Sequence, residues 1–312
     1  MEIENQTTMV TYFVFSGFFL SNDPQLQIFF FFSFFFIYLL TLVGNTMIIL
    51  AVRTSPHLHS PMYFFLGHLS FLDMCFSSAT APKLLETIVT DQKTISFMGC
   101  FTQVFFILLS ATSEVFLLSA MAYDRYSAIC KPLHYVEMVN LPFCQKLVAS
   151  AWAIGFFYAL ANTLLLFKLN FCGPNIIKHF SCELPSLLSL SCNEIFMNQM
   201  FFFISGSAVG LISLFLTVLS YIHIISTILK MSSPEGKHKA FSTCGSHLSV
   251  VVLFYGTGYF RYLRPNSTSS LLLDEIFSIQ YSILTPLLNP IIYSLQNKEI
   301  KTAFRKILKL KF

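Results

Sequence analysis

The chain has 312 residues, 55% of them hydrophobic and only 11% charged, with a formal net charge of +4 and 37 Phe. An ordinary soluble domain is about 25% charged and needs that polarity to cover its surface, so a water-soluble globule is excluded. The same numbers exclude a disordered chain, a collagen and a small disulfide scaffold, and leave a membrane protein.

Residues 1–23 carry Glu2, Glu4 and Asp23, and no basic residue precedes Arg53. The positively charged start of a cleavable signal peptide is therefore missing, and the first apolar run is expected to stay as an anchor. Asn5-Gln6-Thr7 is a glycosylation triplet and marks Asn5 as an acceptor on an outer tail. Residues 24–52, 147–167, 195–229, 240–260 and 276–297 contain no Asp, Glu, Lys or Arg. Two further runs carry one acid each, about 61–82 with Asp73 and about 97–123 with Glu114. Each run supplies the roughly 20 residues that cross a bilayer. The runs are too long for barrel strands and do not alternate, and in hydrocarbon every backbone group must bond within its own segment. An all-α bundle of seven membrane-spanning helices follows. It forms one membrane domain over 1–312, with an outer tail at 1–23, the bundle at 24–297 and an inner tail at 298–312. In that tail Ile300, Phe304, Ile307 and Leu308 alternate at helical spacing with Lys301, Arg305, Lys306 and Lys309, which predicts an amphipathic helix on the inner leaflet.

With the N-terminus outside, 13 of the 19 basic residues fall on the inner side, the orientation that basic residues favour. A second triplet, Asn266-Ser267-Thr268, then also lies outside. Of eight cysteines, Cys100, Cys172, Cys182 and Cys192 lie outside, in an oxidising compartment; four cysteines allow three pairings, and spacing does not choose among them. The long outer segment 168–196 holds three of them. The nearby His179 lacks a clean metal-ligand spacing, so no metal site is expected.

Asp73 and Glu114 are expensive in hydrocarbon and are expected to face the interior with Asn45 and Asn289, in one polar network that takes water or a monovalent cation. Structural glue between helices is the simpler alternative. Pro286 and Pro290 flank Asn289 and predict a kink beside that network. Asp124-Arg125 closes the third span at the inner boundary, where the guanidinium fork can exchange one partner for another.

Asp124-Arg125-Tyr126 and Asn289-Pro290-Ile291-Ile292-Tyr293 on seven spans resemble the rhodopsin-like G-protein-coupled receptors. Longer strings are narrower: Pro61-Met-Tyr-Phe-Phe-Leu66, Met121-Ala-Tyr-Asp-Arg-Tyr-Ser-Ala-Ile-Cys130, Lys131-Pro-Leu-His-Tyr135, Ser220-Tyr221, Lys239-Ala-Phe-Ser-Thr-Cys-Gly-Ser-His-Leu248 and Pro286-Leu-Leu-Asn-Pro-Ile-Ile-Tyr-Ser-Leu-Gln-Asn297. These resemble the signature of the vertebrate olfactory receptors, of the tetrapod-type (class II) branch, and run from Gly44 to Asn297. Small departures are Ser60, Leu287 and Gln296, where the family usually has Thr, Met and Arg. The resemblance implies disulfides Cys100–Cys182 and Cys172–Cys192. It implies coupling through Asp124, Arg125 and Tyr126, with Tyr221, His247, Asn289, Pro290 and Tyr293 as moving parts. Asn45, Asp73, Glu114 and Asn289 become the ion or water site; no organic cofactor is implied. The partners are a stimulatory olfactory G protein that raises cyclic AMP, a small volatile odorant and the bilayer, with no nucleic acid. The place is the plasma membrane of sensory cilia.

The ligand site so implied lies in the outer half of spans three, five, six and seven. Helical spacing from Cys100 offers Ile107, Leu108, Ala111 and Thr112. Span five offers Ser205, Gly206 and Val209; span six Phe254, Tyr255, Thr257, Gly258 and Tyr259; span seven Ile279 and Ser282. Apolar walls with a few hydroxyls suit a neutral hydrophobic molecule and not an amine, which would want a buried acid. The competing readings are a receptor for a non-odorant metabolite and a small-solute transporter; the latter usually shows interrupted helices in repeated halves. No catalytic constellation is present, so an enzyme is not expected. Epitope tags test the orientation: an N-terminal tag is expected to stain intact cells and a C-terminal tag only permeabilised ones. A C-terminal tag stained on intact cells reverses it.

Overall fold

The computed structural model describes residues 10–17, 23–90, 93–171, 174–192, 194–262 and 271–309. Six long helices are α1 (Pro24–Thr54), α2 (Pro61–Val89), α3 (Phe97–Cys130), α4 (Leu141–Leu166), α5 (Phe196–Lys230) and α6 (Pro234–Tyr262). The seventh, α7, runs through Leu271–Ile279, a π-helical stretch Gln280–Leu284, and Thr285–Gln296. A shorter α8 (Lys298–Lys309) follows. Local chemistry sets the starts. Asp23 accepts from the Gln25 N–H at 2.9 Å ahead of Pro24, Ser96 from Gly99 at 3.1 Å and Asn140 from Phe143 at 3.0 Å, each satisfying a first-turn donor. The helices overrun the charge-free runs, because helical hydrogen bonding continues into the interface until a cap or proline stops it.

The expected seven-helix, membrane-spanning bundle is present. Among the described residues, five of its helices are long and apolar enough to span by composition alone. The other two, α2 and α6, turn their polar residues inward: Ser70, Asp73, Ser77, Thr80 and Thr87 of α2 and Ser246, His247 and Thr257 of α6 are buried. Most of the apolar stretch of α3 is buried, while most of that of α1 faces outward, so α3 is the central post. It meets α4 closely at Gly155, where an added Cβ would lie 2.2 Å from Ser113 Oγ and 2.9 Å from the Leu109 carbonyl. Small residues allow such approach where burial in lipid offers no hydrophobic drive.

One feature lies beyond the helical expectation. Part of the outer tail is ordered: β1 (Tyr12–Phe15) pairs antiparallel with β2 (Thr94–Ser96) and parallel with β3 (Ile176–Ile177). Phe13 and Phe15 are buried, and the Phe13 ring meets Phe171 edge-on at 5.4 Å. This small sheet closes the outer end. At the inner end α8 is amphipathic as expected. Ile300 and Ala303 are buried and Lys301, Arg305 and Lys306 are exposed, while Asn297 Oδ1 accepts from the Glu299 and Ile300 N–H groups at 2.9 and 3.3 Å.

Gly155→Val is expected to destabilise the bundle by about 1–3 kcal/mol, since Ser113 and the Leu109 backbone cannot both retreat. Thermal unfolding of the purified protein reads it; an unchanged midpoint shows that α3 and α4 are not packed this closely.

Candidate ligand cavity and inner latch

The outer end is tied down first. Cys100 is bridged to Cys182, fastening the segment after α4 to the start of α3. Gln103 braces the same spot: its Oε1 accepts from the Cys182 N–H at 2.7 Å and its Nε2 donates to the Ala79 carbonyl at 2.8 Å. Cys192 is also disulfide-bonded, while its expected partner Cys172 lies outside the described residues, as do Asn5 and Asn266. A second tie runs to α7, where the Ser278 hydroxyl donates to Glu183 Oε1; His179 Nε2 lies 3.6 Å from the same oxygen.

Beneath this cover a cavity of about 320 Å³ lies among α3, α4, α5, α6 and α7. Of the residues expected there, Leu108, Ala111, Thr112, Gly206, Val209, Phe254, Tyr255 and Gly258 line it. Five others do not, and each is occupied elsewhere. Ile107 and Ile279 pack into the apolar clusters between helices. Ser205, Thr257 and Ser282 turn their hydroxyls back on their own helices, to the carbonyls of Phe201, Leu253 and Ser278. The Tyr259 side chain lies outside the described residues.

Sequence reasoning missed Val115, Tyr158, Phe202, Ser207 and Tyr281 among the lining residues. Val115 was legible, since Leu108, Ala111, Thr112 and Val115 form one helical stripe. Tyr281 was hidden by the π-helical stretch Gln280–Leu284. There the Thr285 backbone N–H donates to the carbonyl five residues back, at Gln280, and the extra residue rotates the face that α-helical counting assigns to Ile279 and Ser282. Tyr158 sits on α4, and nothing in its local sequence aims it inward. Among the described residues no Asp, Glu, Lys or Arg lines the cavity; Thr112, Tyr158, Ser207, Tyr255 and Tyr281 supply the hydroxyls.

Below the cavity the polar network comes together. Asn289 Nδ2 donates to Asp73 Oδ1 and Oδ2 at 2.9 and 3.0 Å and to Glu114 Oε1 at 3.4 Å. All three residues are buried. Asn45 stands beside it rather than in it, donating to the Thr41 and Pro286 carbonyls at 3.0 Å each; Pro290 packs where Gly44 of α1 leaves room. Asn289 Oδ1, Ser110 Oγ, Ser113 Oγ and the Tyr293 hydroxyl are buried without a protein partner.

The inner end is latched twice. Arg125 Nε and Nη2 donate to Asp124 Oδ2 at 3.0 and 2.6 Å, and the Tyr135 hydroxyl donates to Asp124 Oδ1 at 2.7 Å. Burial, reinforced by the Asp124 carboxylate, holds the Tyr135 phenol well above its ordinary pKa, so it stays a donor. Tyr135 belongs to a string singled out in the sequence, yet its role appears only in space. The second latch joins three helices. His247 Nε2 lies 3.0 Å from the Leu118 carbonyl, which can only accept, so Nε2 carries the proton and Nδ1 accepts from the Tyr221 hydroxyl at 2.7 Å. Tyr126 stands apart from both latches. Its ring lies 5.6 Å from that of His223, with Lys131 Nζ 5.8 Å above it. Among the described residues no group of three or more His, Cys, Asp or Glu could hold a metal.

Asn289→Leu removes the donor shared by two buried carboxyls and is expected to destabilise the bundle by about 2–3 kcal/mol, read as a lower unfolding midpoint in purified protein. A midpoint equal to that of the parent shows that the carboxyls do not depend on Asn289.

A family profile described as "Olfactory receptor" matches residues 34–311. Human Olfactory receptor 5A2 is 48% identical over 98% of this chain and 94% of its own length. Olfactory receptor 1G1 of Gorilla gorilla gorilla is 47% identical over 99% and 97%, and Olfactory receptor 5G9 of Mus musculus 46% identical over 95% and 94%. With similarity of this depth along nearly its whole length, and with seven helices around an uncharged outer cavity, the chain belongs to the olfactory receptor family within the rhodopsin-like G-protein-coupled receptors.

Proposed function

We propose that this receptor takes a small, neutral, largely apolar odorant into the cavity under the outer cover. Occupancy there is passed to a stimulatory olfactory G protein at the inner face, raising cyclic AMP. The observation that carries the reading is the cavity itself: about 320 Å³, with no charged side chain among the described residues of its wall and with five hydroxyl-bearing side chains, Thr112, Tyr158, Ser207, Tyr255 and Tyr281. Such a lining favours apolar burial and leaves a few polar contacts to fix orientation.

Contiguous contacts support the route inward. The Tyr281 ring, on the cavity wall, lies 5.2 Å from Phe254 and 5.2 Å from Phe76. Phe76 stands one helical turn from Asp73 on α2, and Asp73 leads through Asn289 to Glu114. Two ionised carboxylates around one amide would repel in hydrocarbon, so the core wants a proton, waters or a sodium ion; the unpartnered Asn289 Oδ1 and the Ser110 hydroxyl are oxygens suited to either. On activation α6 swings outward, the Tyr221–His247–Leu118 latch opens, and Arg125 exchanges Asp124 for the G protein. The receptor works in the plasma membrane of sensory cilia.

Two variants separate binding from coupling. A Cβ added at Gly258 meets no atom within 4 Å, so Gly258→Leu places its side chain in the cavity without strain. It is expected to weaken odorant potency about tenfold or more at unchanged surface expression. Arg125 lies about 15–25 Å along α3 from the lining stripe Leu108–Val115, too far to touch the ligand. At matched surface expression Arg125→Ala is expected to abolish the cyclic AMP response while odorant binding stays within a few-fold. A panel of odorants read by cyclic AMP in cells with the olfactory G protein tests both. A full response from Arg125→Ala, or unchanged potency in Gly258→Leu for every active odorant, overturns the reading.

A further inference from the structure

The corner where α7 turns into α8 is bonded across to α2. Gln296 ends α7 and Lys298 begins α8, so Asn297 alone makes the turn, with φ −111° and ψ 111°. One side chain serves both sides of it. Asn297 Oδ1 accepts from the first N–H groups of α8, at Glu299 and Ile300, while its Nδ2 donates to the Tyr63 hydroxyl at 2.8 Å. That hydroxyl in turn donates to Glu299 Oε2 at 2.7 Å. The Tyr63 oxygen therefore holds the turn and the start of α8 at once, accepting from one and donating to the other. Its ring is buried in the same apolar cluster as Tyr293, Ile300 and Ala303. Glu299 is exposed and Asn297 half-buried, so the clasp sits where the bundle ends and the cytosol begins.

The clasp acts on α7. With one residue between the two helices, the inner end of α7 cannot shift without carrying Asn297. One turn before Asn297 stands Tyr293, which is buried with a hydroxyl that has no protein partner. A buried donor left without a bond costs free energy, so the closed inner face holds α7 where this side chain is not satisfied. Higher up, the π-helical stretch Gln280–Leu284 and Pro290 give α7 places to bend. Movement of its inner end would take Tyr293 toward a new partner and pull the corner from α2. Contacts made in only one of two states bias the equilibrium toward that state, and the Tyr63 bonds belong to the closed one.

We propose that Tyr63 is a positioning residue for G-protein coupling: through Asn297 and Glu299 it clasps the α7–α8 corner against α2 and keeps the inner face closed. The clasp rests on the coupling proposed above and adds a third restraint beside the Asp124–Arg125 and Tyr221–His247 latches. It restrains α7, which neither of those latches touches.

Two readouts on the full-length receptor test it. Amide hydrogen exchange of purified protein in lipid nanodiscs reads the clasp without any G protein. Tyr63→Phe keeps the ring and loses both bonds, and is expected to speed exchange across residues 297–304 about tenfold. In cells with the olfactory G protein, at matched surface expression, it is expected to raise cyclic AMP without odorant about fivefold, the shift that one ordinary hydrogen bond carries. Glu299→Ala is expected to move both readouts the same way. Glu299→Gln still offers Tyr63 an acceptor oxygen and is expected to match the parent. The double variant Tyr63→Phe/Glu299→Ala is expected to rise no further than Tyr63→Phe, since both changes open one clasp. Tyr38→Phe loses a hydroxyl bonded to Ser78 on the far part of α1 and is expected to change neither readout. Unchanged exchange in Tyr63→Phe, unchanged or lower basal cyclic AMP, or a Glu299→Gln that behaves like Glu299→Ala overturns the proposal. If Tyr63→Phe fails to reach the surface, the Glu299 pair decides. Faster exchange in a receptor that raises no cyclic AMP with any odorant overturns the coupling reading itself, and the role of the clasp with it.

Discussion

A polar group inside hydrocarbon has to find its partner within the protein, and this constraint organises the whole receptor. It makes every span a helix, and it turns the polar stripes of α2 and α6 inward onto α3. It also explains why Asp73 of α2, Glu114 of α3 and Asn289 of α7 meet at one amide. Three helices are held in register by the need to satisfy two carboxyls. The outer cavity can stay apolar because the acids are collected below it.

The same rule explains the inner end. Asp124 is fully buried and draws donors from Arg125 beside it and from Tyr135 beyond the helix end. His247, also fully buried, is satisfied on both ring nitrogens by groups from α3 and α5. These contacts describe a closed inner face, in which the guanidinium is engaged within its own chain. Opening it means exchanging several buried hydrogen bonds at once, which is the kind of discrete rearrangement that lets packed helices act as a two-state element.

The outer end is built differently, by covalent and sheet constraints that water tolerates. The Cys100–Cys182 bridge, the Gln103 brace and the three-strand sheet hold the second outer segment across the bundle. Glu183 reaches α7 through Ser278. The cover is thereby tied to two of the helices that wall the cavity, α3 and α7.

The sequence by itself determined the number of spans, their approximate places and the inward facing of Asp73 and Glu114. Charge-free length is a one-dimensional property, caps and prolines act locally, and an acid in hydrocarbon has nowhere else to point. It also exposed the stripe Leu108, Ala111, Thr112, because helical periodicity on a straight helix is regular. Only the tertiary structure decided the rest. Tyr281 replaces Ile279 and Ser282 on the cavity wall because a π-helical stretch resets the face of α7, and no residue type announces that reset. Tyr158 enters from α4 because Gly155 lets α4 lie against α3. The hydroxyls of Ser205 and Thr257 are lost to the cavity because a backbone carbonyl one turn back is the nearer partner. Tyr12–Phe15 becomes a strand because β2 and β3 are brought beside it. Each of these outcomes depends on which neighbour arrives in space, and periodicity along a single helix carries no record of its neighbours.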